Sequence, residues 1–204
     1  MSAKKPSKGS NAHFFWESKS NKNRSRFNLL LLEFGEYLLE DLSAYYFPIP
    51  THDLSTSFEV KDALKIQGRL KLSTRSLIFE PGEARYPIIK FPYKSMPNEI
   101  EKFNMKPSEL SALSVEVSGF FTFNCMQSFE MKENNKITPY KMIDYTAHGG
   151  HRSVFALVHA DLNALLVKIE QLRHILKMTA LKGQGMGNTL LQVSVSFVYG
   201  FMCT

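Results

Sequence analysis

Cysteine is nearly absent from this sequence: Cys125 and Cys203 are the only two in 204 residues. Two cysteines so far apart exclude a disulfide framework and the close ligand pairs of a Cys-rich metal site. A reducing compartment, cytosol or nucleus, is the simplest setting. Long uncharged apolar runs are missing too. The nearest is Asn188 to Thr204, which is short and carries polar residues, so no transmembrane helix is expected. Nor is a secretory leader expected, because the first apolar run follows a Lys-, Ser- and Asn-rich tail and is interrupted by Glu33. The six His residues are scattered, and no Ser/His/Asp or Cys/His set can be assembled. His148 and His151 flank a Gly-Gly pair and have no carboxylate or Cys beside them, which reads as a loop and not as a metal site. "GQGMGN" at Gly183–Asn188 follows a helical segment and lies outside any βαβ unit, so a nucleotide-binding reading fails.

What is present is apolar and basic. Hydrophobic residues make up 44% and aromatic ones 12%, enough for one core. The formal charge is +6, from 25 Lys+Arg and 19 Asp+Glu, a weak bias toward anionic partners. Part of that surplus sits in residues 1–25, expected to be a disordered basic tail with an apolar spot at His13–Glu17. Residues 26–47 place Leu30, Leu31, Phe34, Leu38 and Leu42 at three- and four-residue steps. That spacing predicts an amphipathic helix, with Asn28 as its cap and Gly35 as a costly interior residue. Its polar face is acidic (Glu33, Glu36, Glu40, Asp41), so it is expected to pack on protein and not on an anionic bilayer.

From Ser57 the period falls to two. Leu64, Ile66, Leu70 and Leu72 face one way, and Lys65, Gln67, Arg69 and Lys71 the other. Ser73–Arg75 turns the chain, Ser76–Glu80 is a second strand, Pro81–Arg85 turns it again, and Tyr86–Tyr93 is a third. Further strands are expected near Ile100–Phe103, within Leu113–Glu133, at Asn135–Ile143 and at Arg152–Val158. Asp161 then caps a helix to about Met178, with a stripe at Leu162, Leu165, Leu166, Ile169 and Leu172. About seven strands followed by one amphipathic helix predict an α+β domain: a curved antiparallel barrel of the pleckstrin-homology (PH) type, over 57–178, plugged by its C-terminal helix. Cys125 reads as a buried apolar residue.

The outward charges of the first hairpin raise the functional question. Lys65, Arg69, Lys71, Arg75, Lys90 and Lys94 are candidate ligands for phosphate, since Arg forks and Lys ammonium groups give charge-assisted hydrogen bonds. Each is worth on the order of 1 kcal/mol near an anionic leaflet. Glu80, Glu83 and Glu33 are the acids placed to neutralise part of the group. The bland alternative is a solvated strand face that discourages edge pairing.

The blocks "RFNLLLLEFGEYLLED" and "IQGRLKLSTRSLIFEPGEARYPIIKFPY", with "ITPYKMI" and "SVFALVHADLNALLVKIEQL" later, resemble the N-terminal region of FAN-like proteins of the BEACH and WD-repeat family. The resemblance spans about Ser25 to Met178, and "GRLKLSTRSLIFEP" is also similar to a GRAM domain. It implies a PH/GRAM-like fold, binding to a phosphoinositide-bearing phospholipid surface, and a cytoplasmic, peripheral-membrane adaptor role in membrane traffic or signalling. It implies no catalytic residues and no cofactor, and no nucleic acid is expected as a partner. The alternative is a scaffold that docks on BEACH/WD-repeat units or a receptor tail without lipid. From about Lys182 the text departs from the family, and 179–204 is expected to be a divergent, flexible tail. A truncated or alternatively spliced product, or a mispredicted gene model, is the expected explanation.

Overall fold

In Ile66–Ser73 the alternation delivers a strand, with Ile66, Leu70 and Leu72 buried in the core and Gln67 and Arg69 exposed. Gly68 belongs to the inward set for a steric reason. A Cβ there would lie 2.4 Å from the Glu80 carbonyl oxygen and 2.7 Å from the Phe79 ring. The computed structural model describes residues 26–48, 64–103, 117–131 and 140–183. The expected tail over 1–25, the expected tail over 179–204 from residue 184 on, and the stretches 49–63, 104–116 and 132–139 lie outside the described residues, whereas residues 179–183 are corrected from tail to the end of the C-terminal helix.

Nine strands are described: β1 (Leu38–Pro48), β2 (Ile66–Ser73), β3 (Ser76–Pro81), β4 (Ile88–Pro92), β5 (Glu101–Phe103), β6 (Gly119–Cys125), β7 (Gln127–Met131), β8 (Tyr140–Asp144) and β9 (His151–Leu157). They form one antiparallel sheet in the order β5-β6-β9-β1-β2-β3-β4-β7-β8. The sheet curls around a core centred on Phe155. The ring centroids of Tyr46, Phe79, Phe91, Phe121 and Phe123 lie 4.9, 5.6, 5.9, 5.5 and 5.8 Å from that of Phe155.

The helix α1 (Leu162–Gly183) closes the curl. Asp161 caps it, its Oδ1 accepting from the Asn163 and Ala164 amides at 2.8 and 3.2 Å. Leu162, Leu165 and Ile169 are buried in the same core as the Phe155 rings, with Leu166, Leu172 and Leu176 packed at its edge. Arg173 is buried, and its guanidinium donates to the Met96 and Asn98 carbonyls at 2.8 and 2.7 Å. That contact ties the helix to the crossing from β4 to β5. The expected plugged barrel is therefore present.

The expected helix over 26–47 is corrected. Leu29–Leu31 is a single 3-10 turn, and Leu38–Pro48 is a strand in the middle of the sheet, paired with β2 and β9. Between them Gly35 takes φ +73°, in a tight turn closed by the Glu36 amide on the Glu33 carbonyl at 2.9 Å. A left-handed residue ends any helical run, and glycine adopts it without a Cβ penalty.

Candidate functional site

Residues 26–37 lie as a strap across the outer face of β2, β3, β4 and β7. Phe27, Leu31 and Leu32 pack on Ile78, Ile88 and Met131. The Arg26 guanidinium donates to the carbonyls of Pro81, Glu83, Ala84 and Tyr86 at 3.0–3.4 Å. The Phe27 amide donates to Glu80 Oε1 at 2.9 Å, and the Arg26 amide bonds the same oxygen. The strap thus covers part of the face toward which Lys65, Arg69 and Lys71 were expected to project.

Two of the six are interior residues. The Lys71 side chain is 3% exposed, with its Nζ 2.7 Å from Asp41 Oδ2 and 3.1 Å from Glu80 Oε2, over the Phe27 ring. Lys90 is also 3% exposed, with its Nζ 2.7 Å from Glu36 Oε2 and 3.2 Å from Glu33 Oε1. Neither can reach an external phosphate, and both are corrected as headgroup ligands. Arg69 is on the surface but occupied. Its guanidinium holds the Asp41 carboxylate at 3.0 Å and the Ser43 hydroxyl at 2.9 Å. Lys65 stands at the far end of β2, its ammonium 5.1 Å from the centroid of the Tyr45 ring. The six candidates therefore do not form one cluster: Lys71 and Lys90 are buried, Arg69 is paired, and Lys65 lies at the far end of β2. Of the acids expected to neutralise them, Glu80 and Glu33 do so, whereas Glu83 pairs with Arg85 at 2.8 Å.

Arg75 and Lys94 lie on adjoining segments of the chain. Arg75 lies in the β2–β3 turn, and its carbonyl accepts from the Tyr93 amide at 3.0 Å, one residue before Lys94. Both side chains are exposed. The strap turn completes this end of the sheet. Arg75 Nη1 donates to the Phe34 carbonyl at 3.1 Å, and the Tyr37 and Thr74 backbones are joined at 2.9 Å. Sequence reasoning missed both Phe34, which the helical stripe had placed in a buried face, and Tyr37, which it had not singled out. The Phe34 ring is 97% exposed and Tyr37 58%.

The turn stands on a buried carboxylate. Glu36 Oε1 lies 2.5 Å from both the Ser73 and Ser76 hydroxyls, while its Oε2 takes Lys90 and the Glu33 amide at 2.9 Å. Burial alone would raise the Glu36 pKa. The hydrogen bonds from Lys90, Ser73, Ser76 and the Glu33 backbone outweigh it and hold the carboxyl below its ordinary 4.5.

The opposite end of the sheet holds a cavity of about 260 Å³, floored by Ile66, Phe79, Ile89 and Phe91 and rimmed by Tyr46, Ser128, Glu130, Tyr145 and His151. Tyr46 Oη lies 3.4 Å from His151 Nε2, and the Tyr145 and His151 rings stack at 4.8 Å. Burial lowers the His151 pKa and raises that of Tyr46. The pair lines the rim of the cavity. Cys125 is buried as expected, its thiol pushed up to about 12 by burial and bonded to the Gln127 carbonyl. Among the described residues no helix is long and apolar enough to cross a membrane.

No solved structure matches the chain. A family model described as the FAN protein N-terminal PH domain matches residues 13–186. The match takes in the strap, all nine strands and α1, and begins ahead of the region whose wording carried the resemblance. Covering most of the chain, on a curled antiparallel sheet plugged by a terminal helix, it shows that the chain belongs to the family of the FAN protein N-terminal PH domain.

Proposed function

We propose that this PH domain is a non-enzymatic targeting module that brings an adaptor protein of membrane traffic or signalling onto an anionic, phosphoinositide-bearing membrane surface. The observation that carries this reading is the end of the sheet at the β2–β3 turn. There Arg75 and Lys94 both stand exposed on segments joined by the Tyr93 amide and the Arg75 carbonyl, and neither forms an ion pair among the described residues. Two cations near an anionic leaflet supply on the order of 2 kcal/mol together, a weak and salt-sensitive attraction. The sequence offers reinforcement, because Met1–Ser25 carries Lys4, Lys5, Lys8, Lys19, Lys22 and Arg24 against the single acid Glu17.

Cosedimentation with phosphoinositide vesicles at low and physiological salt tests the proposal. Binding is expected at low salt, weakening as salt rises. The pair Arg75→Glu and Lys94→Glu should lower it at least tenfold, since each reversal reverses on the order of 1 kcal/mol of attraction. Lys65→Glu should have little effect. A second reading, a protein-docking scaffold for a receptor tail or a BEACH/WD-repeat unit, is favoured by one observation: Lys71 and Lys90 are already neutralised by the chain's own acids. Absence of vesicle binding at low salt would give that reading the ground.

A further inference from the structure

Phe34 sits at the outermost point of a turn with almost its whole ring in water. An exposed phenylalanine in isolation needs no explanation, but here the surrounding structure keeps the ring from folding back. Gly35, at φ +73°, forces the chain to reverse directly after it. Glu36, the next residue, is pulled inside by Ser73, Ser76 and Lys90. Tyr37 is stitched to Thr74 through its amide on the Thr74 hydroxyl at 3.0 Å and its carbonyl on the Thr74 amide at 2.9 Å. The turn is therefore a fixed pedestal, and displaying the ring costs no further ordering of the backbone when it finds a partner. Arg75 stands at its side, its guanidinium on the Phe34 carbonyl, and exposed Lys94 follows Tyr93, whose amide bonds the Arg75 carbonyl. Glu33, the neighbouring acid, has its carboxylate 3.2 Å from the Lys90 ammonium. An apolar ring at the apex, a half-exposed tyrosine behind it and two exposed cations on the adjoining segments match the layering of an anionic lipid surface. There, apolar groups enter below the headgroups, aromatics with a polar end sit at their level, and Lys and Arg meet the phosphates.

We infer that Phe34 is an interfacial anchor, entering the acyl boundary of an anionic membrane while Arg75 and Lys94 engage headgroup phosphates and Tyr37 lies at headgroup level. The inference rests on the membrane-targeting reading and adds to it an apolar, salt-insensitive component at a defined residue. The test uses the full chain and phosphatidylcholine vesicles containing phosphatidylserine and a phosphoinositide. With Trp16, the sole tryptophan, replaced by Phe, Phe34→Trp provides a reporter at the tip. Its emission should shift to shorter wavelength on adding vesicles and be quenched by lipids brominated in the acyl chain. Phe34→Ser should weaken vesicle binding about tenfold, the lower end for burying such a ring, with an unchanged melting temperature because the ring touches little protein. Vesicle binding that survives Phe34→Ser, with Phe34→Trp emission unmoved, would overturn the anchor and leave the targeting reading standing. A native chain that binds no vesicles even at low salt would overturn both.

Discussion

The Lys90–Glu36 pair gives the sharpest test of the structural argument, because it separates an interior ion pair from a headgroup ligand. Lys90→Met removes the one cation, among the described residues, within bonding distance of a carboxylate whose own side chain is 0% exposed. Glu36 keeps the Ser73 and Ser76 hydroxyls and the Glu33 amide, but three neutral donors do not replace an ammonium 2.7 Å away. Leaving a buried charge uncompensated costs about 3–5 kcal/mol. The second contact, to half-exposed Glu33, adds little because solvent screens it. With roughly 3 °C lost per kcal/mol in a domain of this size, the melting temperature should fall by about 10 °C or more. Thermal and urea unfolding followed by circular dichroism measure this. Adding Glu36→Gln should recover at least half of the loss, since a neutral buried amide no longer demands a counter-charge. Well below its melting temperature the Lys90→Met chain should bind vesicles as the native chain does. A loss of under about 1 kcal/mol, or a double variant no better than the single one, would refute the interior pair. A folded Lys90→Met chain that fails to bind vesicles would return Lys90 to the surface.

Gly68→Ala should cost about 3 kcal/mol or prevent folding, because its Cβ would strike the Glu80 carbonyl and the Phe79 ring; urea unfolding checks it. Arg173→Met should destabilise by about 3 kcal/mol by stranding the Met96 and Asn98 carbonyls, and hydrogen exchange should quicken in Glu101–Phe103 ahead of the rest of the sheet. Stability should also depend on pH. His151 is held neutral by burial, its folded pKa below 6.5, so its contribution is complete above pH 6.5 and is lost as pH falls through the folded value. Glu36 behaves likewise below its ordinary 4.5. Urea titrations across this range should show His151→Gln flattening the upper part of the decline and leaving the lower part.

The hairpins were legible because one face is buried and the other is not. Ile66, Leu70 and Leu72 alternate with Gln67 and Arg69, and the turns carry Ser-Thr and Pro-Gly signals. The helix α1 was legible from its cap and stripe. β1 was not, because it is covered on both sides. Ala44, Tyr45, Tyr46 and Phe47 are all buried, so the period of two disappears into a continuous apolar run. The leucines upstream then imitated a helical stripe, and Gly35 was the one residue that spoke against it. The direction of Lys71 off the sheet was legible as well, but the cover was not. A strap of Phe27, Leu31, Leu32, Glu33 and Glu36 is written in the sequence as part of a different element. Of the acids that were to keep a helix off a bilayer, Glu33, Glu36 and Asp41 pair with the candidate cations Lys90, Lys71 and Arg69, and Glu40 pairs with Lys168 on α1.

The place of β1 in the sheet carries a consequence for synthesis. It pairs on one side with β2, which follows it, and on the other with β9, the last strand described. Until His151–Leu157 leaves the ribosome, Ala44–Pro48 has an unfilled edge and Phe155 is missing from the centre of the aromatic cluster. Closure of the domain is thus a late event over a long sequence separation, the slow and aggregation-exposed kind. A nascent chain halted before Phe155 would offer a bare apolar strand edge to chaperones and to other copies of itself.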